Sequence, residues 1–199
     1  MTKNIVPHRH TITRADRVKK RGYEPILVWL VGLSGSGKST LANALEEKLF
    51  KEGLNTYLLD GDNVRSGLNR DLGFSDEDRK ENIRRITEVA KLFMDSGTIV
   101  ISAFITPFEK DRQRIRAIVG TENFVEVFVK CPIEECEKRD VKGLYAKARR
   151  GEIKSFTGID SPFEEPVSAD VIVESHKVTI EKALEAIYKV VKEKISINE

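Results

Sequence analysis

Residues 32–40, GLSGSGKST, follow directly on the apolar run Ile26 to Val31, so a complete GxxxxGK[ST] loop falls where a first β-strand hands over to a helix. The pattern has a mechanism. Gly32, Gly35 and Gly37 allow a tight turn that aims backbone N–H groups at phosphate oxygens, reinforced by the positive end of the following helix. Lys38 is placed to reach the β- and γ-phosphates and Ser39 to ligate Mg²⁺, while Leu33, Ser34, Ser36 and Thr40 complete the loop. Leu41, Leu45 and Leu49 give the next stretch the apolar face of a helix. A nucleoside triphosphate is the expected ligand.

Apolar, β-branched runs recur between helical patterns at Ile26 to Val31, Thr56 to Leu59, Thr98 to Ser102, Phe124 to Val129 and Val171 to Val173. Continuous rather than alternating runs read as a buried, mostly parallel five-stranded sheet covered by helices on both faces. We therefore expect a three-layer α/β P-loop NTPase fold. At the carboxyl end, Thr179 can cap a helix whose Ile180, Ala183, Leu184, Ile187, Val190 and Val191 share one face.

With no Ser/Pro/Gly linker, residues 1–199 read as one domain. Residues 1–22 are basic and poorly apolar, and are expected to form an amino-terminal arm carrying His8 and His10. Lys plus Arg (34) nearly balances Asp plus Glu (32), which gives no reason to expect nucleic-acid or membrane binding. No apolar run approaches the roughly 18 residues of a membrane span, and the amino terminus lacks an apolar signal core, so a cytoplasmic protein is expected. Cys131 and Cys136 match no common zinc spacing and read as ordinary thiols.

Two segments fit the strand–helix alternation poorly. Residues 60–82 crowd glycine, carboxylates and arginines beyond the end of the second strand, the edge at which open α/β sheets bind ligands. Residues 138–163 are basic and then glycine-containing, long enough for a lid that keeps water from competing for a γ-phosphate. Asp60 and Asp62, two apart in what reads as extended chain and so pointing the same way, can orient a hydroxyl and hold the metal or its waters. Arg65, Arg70, Arg79, Arg84 and Arg85 are candidates to grip an anionic acceptor, and spacing alone does not choose among them. Phe74 and Phe156, outside any core-like periodicity, can sandwich a purine or simply pack.

The phrases GLSGSGKST, DGDNVRSGLNRDLGFSDEDRKENIRRITEVAKLFMDSG (60–97) and CEKRDVKGLYAKARRGEIKSFTGIDSPFEEP (136–166), with TRADR at 13–17, resemble the adenylylsulfate kinase family over nearly the whole chain. Members phosphorylate the 3′-hydroxyl of adenosine 5′-phosphosulfate with ATP and Mg²⁺ in sulfate assimilation. The resemblance implies that ATP binds residues 32–40. It also implies that adenylylsulfate contacts Asp62, Asn63, Arg65, Phe74, Arg79, Asn82, Ile105, Lys142 and Phe156, with Thr106 beside them. Arg65, Arg79 and Asn82 would hold the phosphosulfate end, Phe74 and Phe156 the adenine, and Lys142 would arrive with the lid. Of the acidic pair, Asp62 is assigned to the 3′-hydroxyl and Asp60 to the magnesium waters.

The chain departs from the family pattern at Thr106, where members carry a serine that has been proposed as a phosphorylation site. Ser66 and Glu109 stand where histidine or glutamine, and arginine, are commoner. A homodimer and association with a separate ATP sulfurylase are further expectations. Two other readings fit less well: a shikimate- or gluconate-type kinase, which has no use for two purine-stacking phenylalanines, and a guanine-nucleotide switch, which requires an NKxD motif that the sequence lacks. The DVKG of 140–143 matches DxxG only literally.

Overall fold

Every residue of Leu27–Val31 is buried, and so is every residue of Ile99–Ala103, because both strands lie inside the sheet with helices on either side. The computed structural model describes residue 6 and residues 8–197. Its elements run α1 (Arg14–Arg21), β1 (Leu27–Val31), α2 (Lys38–Lys51), β2 (Thr56–Asp60), α3 (Gly61–Ser66), α4 (Asp76–Asp95), β3 (Ile99–Ala103), α5 (Glu109–Val119), β4 (Phe124–Lys130), α6 (Ile133–Arg139), α7 (Leu144–Arg149), β5 (Val171–Glu174) and α8 (Ile180–Ile195). The sheet order is β2-β3-β1-β4-β5, and all its pairings are parallel. Each strand lies within one residue of its expected limits at either end.

Side-chain alternation inside the apolar runs sorts the core into two layers. Val28 and Leu30 of β1 face Leu41, Leu45 and Leu49 of α2 and Ala183, Ile187 and Val191 of α8. Leu27, Trp29 and Val31 face Ile86, Ala90 and Met94 of α4 and Ile115 and Val119 of α5. Burying each such leucine or isoleucine stabilises the fold by about 1.5–3 kcal/mol. No helix among the described residues is long and apolar enough to cross a membrane.

Three expectations change. Residues 60–82 are more regular than the sequence suggests: Asp60 caps α3, and Ser75 caps α4 by accepting from the Asp78 N–H. Asp60 and Asp62 therefore do not share an extended segment; Asp62 lies in the first turn of a helix that its neighbour caps. Ile180 departs from the buried face of α8 and is 49% exposed. In the arm, residues 1–5 and 7 lie outside the described residues, while Thr13 and Asp16 form a capping box that starts α1. Arg14 fastens that helix to the body by donating to Asn123 Oδ1 at 2.8 Å and to the Pro25 carbonyl at 3.1 Å.

Candidate active site

The loop between β1 and α2 needs glycine for a steric reason as well as a conformational one. Gly32 has φ +154°, and a Cβ there would stand 2.5 Å from the Val129 carbonyl oxygen of the neighbouring strand. Gly37, at φ +102°, starts α2 with no side chain capping its N-terminus, which leaves the first-turn N–H groups directed at the loop's concavity. Lys38 folds back across the loop and donates to the Leu33 carbonyl at 2.7 Å. Burial lowers its pKa to about 8.

At the carboxyl end of β2, Asp60 works in two directions. Its Oδ2 accepts from Ser39 Oγ at 2.7 Å, and its Oδ1 accepts from the Asp62 N–H at 3.1 Å. Hydroxyl and carboxylate oxygens in this arrangement form the hard donor set that Mg²⁺ takes, with waters and phosphate completing the shell. Asp62 in turn pairs with Lys142, which stands between α6 and α7. The two carboxylates at one strand tip thus face the phosphate loop and the lid respectively.

One arginine joins two of the acceptor segments. Arg79 donates from Nε to the Phe74 carbonyl at 3.0 Å and from Nη1 to Thr157 Oγ1 at 3.0 Å, and Nη2 reaches the Ser155 carbonyl. It therefore ties the backbone of Phe74 to both neighbours of Phe156. Arg65 lies over the Phe74 ring, 4.5 Å from its centroid, and donates to the Gly73 carbonyl at 2.9 Å; burial lowers its pKa. Phe74 itself is 66% exposed. Asn82 is buried and accepts from Asn69 Nδ2 at 2.9 Å. Asn63 is exposed, and Ile105 is half-buried just beyond β3.

Phe156 does not stand free of the core. It is buried with Cys131, Cys136, Ala148 and Tyr145, edge-on to the Tyr145 ring at 4.9 Å. The reason is local: Asp160 accepts from the Ser155 and Phe156 N–H groups and turns the ring inward. Cys136 is fully buried, its pKa pushed up to about 12 by burial, as suits an unreactive thiol. Of the other sequence candidates, Arg84 and Arg85 share Glu81, and Arg85 also pairs with Asp71. Thr106 has φ +43° and is buried, its hydroxyl accepting from Trp29 Nε1 at 2.9 Å. DVKG is the turn between α6 and α7 rather than a loop after a strand.

Sequence reasoning missed a second side of the phosphate loop. Arg139 donates to the Gly35, Ser36 and Ser175 carbonyls at 3.2–3.4 Å, and Ser175 Oγ donates to the Ser36 carbonyl at 2.6 Å. Together with Thr40, Val178, Thr179 and Ile180 they line a pocket of about 190 Å³ beside the loop. Its signal was available: Ser175 follows β5 at the same sheet edge that singled out Asp60. Tyr145 closes the other flank, its hydroxyl donating to the Ser34 carbonyl at 2.9 Å.

Comparison with known proteins gives the family. The family model described as adenylylsulphate kinase matches residues 24–174. The probable adenylyl-sulfate kinase of Halalkalibacterium halodurans is 56% identical over 185 residues, 93% of this chain and 92% of its own. The adenylyl-sulfate kinase of Geotalea daltonii is 53% identical over 195 residues, 98% of this chain and 96% of its own. Among solved structures, the Mycobacterium tuberculosis APS kinase CysC in complex with AMPPNP and APS superposes with a TM-score of 0.80 at 44% identity, covering 85% of this chain and 98% of that one.

Proposed function

Since the chain belongs to the adenylylsulphate kinase family, we propose a division of labour among its residues for that family's reaction. The enzyme is an ATP-dependent phosphotransferase acting on adenosine 5′-phosphosulfate. It moves the γ-phosphoryl group to the 3′-hydroxyl, giving 3′-phosphoadenosine 5′-phosphosulfate and ADP. The observation that carries our reading is the split at the tip of β2, where Asp60 meets the phosphate-loop serine and Asp62 meets the lid lysine.

In this reading ATP lies with its phosphates over residues 32–40 and its base in the pocket walled by Arg139, Ser175 and Ile180. Lys38 exchanges the Leu33 carbonyl for phosphate oxygens and neutralises charge as it shifts toward the leaving group. Ser39 and Asp60 would hold Mg²⁺ and its waters, and the ion would neutralise charge on the transferring phosphoryl group. Asp62 takes the 3′-hydroxyl proton while the oxygen bonds to the γ-phosphorus and the bond to the ADP oxygen breaks in line. Lys142, released from Asp62, Arg65 and Arg79 hold the phosphosulfate. Asn63, Asn82, Ile105 and Thr106 shape the ribose and phosphosulfate side, and Phe74 and Phe156 bound the acceptor adenine.

A cytoplasmic setting, a homodimer and association with a separate ATP sulfurylase complete the proposal. A coupled ADP-release assay offering adenylyl sulfate, shikimate, gluconate and AMP in parallel tests its core. Only adenylyl sulfate gives brisk, Mg²⁺-dependent turnover, and Lys38→Ala abolishes it; equal turnover with another acceptor would overturn the reading.

A further inference from the structure

Arg112, on α5, is 1% exposed, yet two of its hydrogen bonds lead to the margin of the acceptor site. Its Nη1 donates to the Thr106 carbonyl at 2.8 Å, and its Nη2 donates to the Glu164 carbonyl at 2.8 Å and to Glu109 Oε2 at 2.6 Å. Behind it, Nε faces Glu126 Oε1 of β4 at 3.1 Å, and Glu126 is itself 3% exposed. Burying a guanidinium this deeply is costly unless its donors are met; Nε donates to Glu109 Oε2 at 3.2 Å, so the hydrogen-bond partners come from α5, the 105–109 turn and the end of the lid, with Glu126 of β4 as a buried ion-pair partner.

The same two segments are sewn together by further bonds. The Glu164 N–H donates to the Pro107 carbonyl at 2.8 Å, and Glu164 Oε2 accepts from the Glu109 N–H at 2.7 Å. Thr106 between them holds φ +43°, a left-handed conformation that a β-branched residue adopts only under constraint. Two groups supply that constraint: Arg112 on its carbonyl and the Trp29 indole N–H on its hydroxyl.

We propose that Arg112 is a positioning residue for the acceptor nucleotide: with Trp29 it fixes the strained Thr106 turn, which sets Ile105, and through Glu164 it locks that turn to the exit of the lid. The inference rests on the reading of Ile105 and the lid as parts of the acceptor site. The phosphate loop receives none of these bonds, so the donor nucleotide is indifferent to them. Glu109, which departs from the family's commoner arginine, is the guanidinium's carboxylate partner on its own helix.

The test is steady-state kinetics on Arg112→Gln and Arg112→Lys, varying each substrate in turn, with thermal melts alongside. The KM for adenylyl sulfate rises about tenfold or more in Arg112→Gln, the loss expected for charge-assisted hydrogen bonds. The KM for ATP stays within about twofold, and lysine restores part of the difference. Trp29 is the only tryptophan in the sequence, so its emission reads the turn directly. In the wild type it changes on adding adenylyl sulfate but not on adding a non-hydrolysable ATP analogue, and Arg112→Gln loses that response. If Arg112→Gln does not fold, Arg112→Lys decides, with an acceptor KM about threefold higher and the KM for ATP within about twofold. Equal effects on both KM values, or an unchanged acceptor KM in a folded variant, overturn the positioning role. A wild type inert toward adenylyl sulfate would instead overturn the acceptor reading beneath it.

Discussion

The Ser39 hydroxyl donates to Asp60 Oδ2 at 2.7 Å, joining the first turn of α2 to the last residue of β2. Two oxygens from separate elements are thereby held in register before any ligand arrives, as a magnesium site with mostly water and phosphate ligands requires. Asp60→Asn and Ser39→Ala should each raise the Mg²⁺ concentration for half-maximal turnover by about tenfold, the scale of one lost metal-supporting group. Turnover against Mg²⁺ at saturating substrates is the measurement, and superimposable curves for wild type and Asp60→Asn would remove the assignment.

Asp62 is the other half of the pair, and its contact with Lys142 joins the acidic tip to the lid. Asp62→Asn keeps the shape and removes the proposed base, so kcat should fall by about 10²- to 10⁴-fold with the KM for ATP little changed. Undiminished turnover at saturating substrate would dismiss it as the base.

The sheet was legible because its strands are continuous apolar runs, and β1 with its glycine loop was legible because close approach and φ leave few alternatives. The pairing of Asp60 with Asp62 was legible as a location but not as a geometry, since a helix cap and an extended segment place the same two residues differently. Phe156 lies outside any core-like periodicity yet is buried, because a turn built on Asp160, not helical or strand spacing, packs it. Arg112 escaped attention altogether. In sequence it is one more charge in a basic helix, and only the fold brings Glu126, Thr106 and Glu164 to it.

Lys38 links activity to pH. Its pKa is lowered from near 10.5 to about 8 by burial, so below that value folded and unfolded chains both carry the charge and the burial cost is fully present. Between about 8 and 10.5 the folded chain has released a proton that the unfolded chain keeps, and the stability of the free enzyme rises with pH. Phosphate binding needs the charged amine. Affinity for an ATP analogue should therefore weaken above pH 8 by up to about tenfold per unit, while Lys38→Ala binds weakly and without this dependence. Calorimetric titration across that range checks both.

In the proposed reading, Arg139 belongs to the donor side alone. Held by three carbonyls at the wall of the 190 Å³ pocket, its planar guanidinium is preset to lie against a base. Arg139→Ala should raise the KM for ATP about tenfold and leave that for adenylyl sulfate within about twofold. Arg112→Gln is expected to do the reverse, so the two variants measured together map donor and acceptor sides independently.

Gly32 is where the fold itself limits the site. A methyl group there would meet the Val129 carbonyl at 2.5 Å and Ser36 Oγ at 2.9 Å, and the carbonyl cannot move without shifting β4. Gly32→Ala should cost about 1–3 kcal/mol of stability, visible as a melting temperature lower by several degrees. Because the strain falls on the segment that cradles phosphate, affinity for an ATP analogue should fall with it. Gly53→Ala, on a surface turn with open space around it, carries only the conformational cost of φ +79° and should leave nucleotide binding untouched. A Gly32→Ala protein that melts and binds like the wild type would show that the close approach of the loop to β4 is not what fixes the glycine.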